Sequence, residues 1–73
     1  MKNLMLVDLN KKVSQTYELN EISNIMTDKA EFILDINELK NNKIKPNATV
    51  TVIYLANGEK AIFEAKNWIM YFK

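Results

Sequence analysis

The side chains able to do chemistry in this chain are carboxylates and amines: nine Asp or Glu against ten Lys, with no His, Cys or Arg. A carboxylate pair works as general acid and base only where burial in an apolar pocket or a close like charge drives the two pKa values apart, and no segment marks such a pocket. Without imidazole or thiolate, most routes to a metal site or to a base titrating near neutrality are closed. Ser-His and Cys-His pairs are absent, and the single glycine, Gly58, belongs to a turn rather than to a phosphate-cradling loop. The chain is therefore expected to be non-enzymatic, with no metal and no cofactor.

Three groupings remain as candidate contact sites. Asp28, Glu31, Asp35 and Glu38 recur at helical spacing, so on one helix they form an acidic row able to mimic nucleic-acid phosphates in a basic groove. Ile53, Leu55 and Ile62, joined by Trp68 and Tyr71 near the carboxyl end, are expected on an outer sheet face, where exposed aliphatic and aromatic residues suit a protein partner or a homodimer. Lys40, Lys43 and Lys45 lie among Asn41, Asn42 and Asn47, in a loop able to touch phosphates and extensible by Lys11, Lys12, Lys60 and Lys66. Tyr17, Tyr54, Phe63 or Trp68 could then stack bases of a single strand. A net charge of +1 and the absence of Arg weigh against nucleic acid, since a basic surplus and bidentate guanidinium contacts usually carry such binding.

The elements that must position these groups centre on residues 49–65. Asn57-Gly58 is the signature of a two-residue hairpin turn, and that turn sets Ala56 opposite Glu59, Tyr54 opposite Ala61, Val52 opposite Phe63 and Val50 opposite Ala65. Beyond Glu59 at the turn, one side of the ribbon is then apolar, while the other pairs Leu55 with Lys60, Ile53 with Ile62 and Thr51 with Glu64. After Ala65 the alternation resumes one residue out of phase as Trp68, Met70 and Phe72, which predicts a bend at Lys66-Asn67 and a short terminal strand.

Residues 4–9 and 13–19 read as a first hairpin closed at Asn10-Lys11. From 19 to 39 the apolar positions keep one phase on a helical wheel, which predicts a helix, with a capping box at Asp28 and Glu31 and a left-handed stop at Asn41-Asn42. Residues 30–37 also alternate as a strand. Pro46 marks 41–48 as a loop.

The expectation is one domain over residues 1–73 of the α+β class: a small twisted antiparallel sheet from two hairpins, with one helix over about 20–40 packed on one face. The alternative is an all-β SH3-like or OB-like small barrel with a short helix over 21–26. The amino-terminal apolar run, Leu4 to Val7, is far shorter than the roughly 7–15 residues of a signal core or the ~18 of a span, so a cytoplasmic protein off the membrane is expected. Heavy use of Lys, Asn and Ile, with codons rich in A and T, suits a phage or mobile element. The functional expectation is a regulator or inhibitor occupying a surface of a larger protein; the alternative is a single-stranded nucleic-acid binding domain.

Overall fold

The structure, a computed structural model, describes residues 2–10 and 13–73. Among these, six strands form two antiparallel sheets of three. The first has the order β2-β1-β6, from β1 (Asn3–Asp8), β2 (Ser14–Glu18) and β6 (Trp68–Phe72). The second has the order β3-β4-β5, from β3 (Ile22–Lys29), β4 (Thr49–Leu55) and β5 (Lys60–Glu64). The chain passes from one sheet to the other twice, each time through a single 3-10 turn, Leu19–Glu21 and Ala65–Asn67. The second of these turns is the phase break expected at Lys66-Asn67. Two short helices, α1 (Ala30–Ile33) and α2 (Ile36–Asn41), complete an α+β fold with no closed barrel.

The predicted helix over 19–39 is not formed, and neither is the alternative strand over 30–37. Residues 22–29 are strand β3, paired along β4, with a bulge between Ile22 and Asn24. An extra residue in a strand turns side chains three apart to the same side, so Ile22 and Ile25 both pack between the sheets and imitate helical spacing. Only Ala30, Ile33 and Leu34 use the spacing as a helix does, packing inward from α1. The capping box also lies further on. Asp35 accepts from the Glu38 N–H at 2.8 Å, and the Glu38 carboxylate accepts from the Asp35 N–H at 2.9 Å, which starts α2 rather than a helix at Asp28.

The stop is likewise one residue beyond Asn41-Asn42. Lys43 takes the left-handed conformation, at φ 54°. The Ile44 N–H reaches Leu39 O at 2.9 Å and the Lys43 N–H reaches Lys40 O at 3.2 Å, a Schellman motif whose apolar clasp is buried Ile44 with Leu39.

The carboxyl-terminal hairpin exists, but its register differs from expectation by one residue: Val50 faces Glu64, Thr51 Phe63, Val52 Ile62, Ile53 Ala61 and Tyr54 Lys60. Three residues rather than two make the loop. Leu55 O accepts from Gly58 N–H at 3.0 Å and Leu55 N–H donates to Glu59 O at 2.8 Å, with Gly58 at φ 91° taking the left-handed step that closes a three-residue hairpin. A one-residue slip exchanges the faces of β5, so Phe63 shares a side with Ile53, while Ile62 shares a side with Val50 and Val52.

Strand β4 is consequently buried on both faces. Val50 and Val52 lie under the helices with Ala30, Leu34 and Ile44, joined by Tyr54, Ile62 and Leu39. Ile53 lies between the sheets with Leu4, Leu6 and Phe63, flanked by Tyr17, Ile25, Leu55 and Trp68. The first hairpin pairs as expected, Asn3 with Glu18 through Val7 with Ser14, and the Asp8 N–H donates to Val13 O at 2.8 Å. Its predicted turn includes Lys11, which with Lys12 lies outside the described residues.

Candidate functional site

The three groupings meet different fates. The outer apolar face expected on the second sheet is not open, because the first sheet covers it. Ile53 is fully buried, Leu55 is half-buried beside it, and Ile62 is half-buried on the opposite face beneath the helices. Trp68 is half-buried, packed edge-on against Phe63 with ring centroids 4.8 Å apart. Of the five expected contact residues, Tyr71 is the exposed one.

The acidic residues do not share a helix. Asp28 is in strand β3, Glu31 in α1, Asp35 caps α2 and Glu38 is in its first turn. Two of them have structural partners that account for their type. Asp35 holds the α2 cap, and the Glu38 carboxylate meets Lys60 Nζ at 2.8 Å, tying the helix to strand β5. The hydrogen bond from Lys60, then that from the Asp35 backbone, holds the Glu38 carboxyl below its ordinary value, while Glu38 holds the Lys60 ammonium above its own. Lys60 also lies over the Tyr54 ring, 5.5 Å from its centroid.

Lys40, Lys43 and Lys45 are exposed around the end of α2, as expected of that loop. The aromatics that would stack bases beside them are engaged elsewhere. Tyr17 and Trp68 both pack edge-on to Phe63 in the core between the sheets, and burial raises the Tyr17 hydroxyl's pKa. Tyr54 packs toward the helices.

Sequence reasoning missed the surface that the fold does leave apolar. In the first sheet, Leu4, Leu6 and buried Asp8 alternate with Met5 and Val7, so the latter pair lies on the outer face, where Met5 stands opposite Tyr71 and Val7 opposite Ile69. Along β6, Ile69 (50%), Met70 (40%), Tyr71 (39%) and Phe72 (50%) are all exposed, so the strand is apolar toward solvent on both sides. The signal was available: Trp-Ile-Met-Tyr-Phe holds no polar residue for an outer face, whereas β2 reads Ser-Gln-Thr-Tyr-Glu. A second exposed pair, Phe32 and Ile36, projects from the helical segment away from the cluster that Ala30, Ile33 and Leu34 join.

Concave surface is modest. A shallow hollow of about 450 Å³ is lined by Lys2, Asn3, Glu18, Leu19 and Asn20, where β2 turns toward the second sheet. Its polar groups include Glu18, whose backbone N–H already bonds the Glu21 carboxylate at 3.2 Å. Among the described residues no cluster of Asp and Glu is arranged to hold a metal ion, and no helix is long and apolar enough to cross a membrane. Compared with protein-family models, curated proteins and solved structures, the chain matches none.

Proposed function

We propose that this chain is a non-enzymatic protein-interaction domain that contacts a larger protein through the outer face of its first sheet, as a regulator or inhibitor of the kind phages and other mobile elements encode. The observation that carries this reading is the row Met5, Val7, Ile69 and Tyr71, two cross-strand apolar pairs on one face, with Ile69 half-exposed and Tyr71 nearly so. Apolar side chains gathered on an open sheet face favour association, because covering them removes their surface from water at about 25 cal/mol per Å². Tyr71 adds a hydroxyl for one directional bond at the edge of such a contact.

The test is capture from cell lysate by the immobilised chain, with nuclease added. A protein partner retained after nuclease and lost with Ile69→Asp or Tyr71→Asp supports the reading. Both positions are exposed, so the variants should remain folded. Retention of the same partner by both variants, or capture that disappears with nuclease, removes it.

A further inference from the structure

We infer that a second copy of this chain pairs with the free edge of β6, antiparallel about Met70, and joins two first sheets into one of six strands. The inference rests on the reading of the chain as an interaction domain and names one of its partners.

The backbone shows which groups are available. Asn3 and Lys73 exchange hydrogen bonds, Asn3 N–H to Lys73 O at 3.1 Å and Lys73 N–H to Asn3 O at 2.9 Å, and the Leu9 N–H reaches Asn67 O at 2.8 Å. Bonded pairs alternate along an antiparallel ladder, so the Ile69 and Tyr71 backbones also turn toward β1, while those of Met70 and Phe72 turn away from it. Strand β6 has β1 as its one neighbour among the described residues, so these outward groups face the open edge.

Such an edge is a template for another strand, and proteins blunt edges with charges, bulges or proline. The other three edges here are blunted. Strand β2 carries Glu18 and three further polar residues, β3 carries Asp28, Lys29 and a bulge, and β5 carries Lys60 and Glu64. From Trp68 to Phe72, β6 has no charge, no proline and no bulge.

The identity of the occupant follows from side-chain chemistry. A strand laid against β6 meets apolar residues on both faces, so it must itself be apolar on both, and among this chain's edge strands β6 alone is. Two-fold pairing about Met70 sets Met70 against Met70 of the second copy, Ile69 against Tyr71 and Trp68 against Phe72, with no charge opposed to any side chain. The two Met70 residues exchange a pair of N–H···O=C bonds, and the Phe72 N–H meets the Trp68 carbonyl at either end. The outer apolar rows of the two copies then run together.

Sedimentation of the full chain over a concentration series, paired with hydrogen exchange, tests this. The expected result is a concentration-dependent dimer in which the Met70 and Phe72 amides become protected while Ile69 and Tyr71 are protected at every concentration. Met70→Pro removes an outward N–H that the monomer does not use, as edge positions tolerate. It should keep the circular dichroism of the parent and raise the dimer dissociation constant about thirtyfold, two backbone bonds being lost. A chain that stays monomeric, with Met70 exchanging equally fast at low and high concentration, overturns the inference, as does a dimer indifferent to Met70→Pro. If the proline variant fails to fold, the exchange rates of the unaltered chain decide. A monomer that still captures a lysate protein through Ile69 and Tyr71 refutes the second copy and leaves the proposed function standing.

Discussion

Truncating Ile53 to alanine is the sharpest test of the two-sided burial of β4. Ile53 is fully buried between the sheets, in one cluster with Leu4, Leu6 and Phe63. Cutting a buried Ile to Ala costs about 2–5 kcal/mol, the spread reflecting how far the surroundings can close the gap. Here the walls belong to two sheets, each held by its own hydrogen-bond ladders, so closing the gap requires one sheet to move against the other. A loss no smaller than the middle of that range, about 3–4 kcal/mol, is therefore expected. For 73 residues total stability should be about 4–11 kcal/mol, so the loss is about a quarter or more of the whole. Urea unfolding followed by the fluorescence of Trp68, the single tryptophan, reports on this layer because Trp68 packs against Phe63. With a slope of ~1 kcal/mol per molar urea, the midpoint should fall by about 3–4 M. Ile62→Ala, half-buried beneath the helices, should cost less than half as much. A loss below about 1 kcal/mol for Ile53→Ala, or a larger loss for Ile62→Ala, would refute the placement of the two residues on opposite faces.

Two further outcomes follow from local geometry. Lys43→Gly should stabilise the fold by roughly 1 kcal/mol, read from the thermal midpoint, because the left-handed conformation that ends α2 strains a side chain bearing a Cβ and not glycine; unchanged or lowered stability would show that the Lys43 side chain contributes more than the strain removes. Glu38→Gln should cost no more than about 1 kcal/mol, since the pair with Lys60 is partly solvated. The depressed Glu38 pKa makes that contribution fully present above its ordinary 4.5 and lost as pH falls through the lower folded value. The raised Lys60 pKa makes it present below 10.5 and lost as pH rises through the higher folded value. The difference between parent and variant should thus be flat from about pH 5 to 10 and shrink beyond either end; a difference that varies with pH inside that window would contradict the pairing.

Much of the strand content was legible in the residues. Val50 to Leu55 alternate on a β-branched backbone, Asn57-Gly58 demands a reversal, and the phase break before Trp68 appears as a 3-10 turn. These are properties of a few neighbouring residues, and short-range sterics decide them. The helical spacing over 19–39 does not yield one helix because the β3 bulge sets Ile22 and Ile25 at that interval within a strand, and an interval alone does not say which backbone produces it. The hairpin register escaped for a related reason: Gly58 can take its left-handed step in a two-residue or a three-residue loop, and the choice depends on which face of β5 finds a core.

What the sequence by itself determined was therefore local: no imidazole or thiol chemistry, a reversal at Gly58, strands at both ends and a helix stop within a residue of Asn41-Asn42. Tertiary structure alone decided that β4 is covered twice, because the sheet that hides Ile53 is built from β1, β2 and β6, segments from opposite ends of the chain. The same pairing decided the candidate site. Bringing β6 beside β1 buried Leu4 and Leu6, moved Ile53 and Leu55 inside, and left Met5, Val7, Ile69 and Tyr71 on the outer face. Burial is a relation between distant segments, and no residue's own preference specifies it.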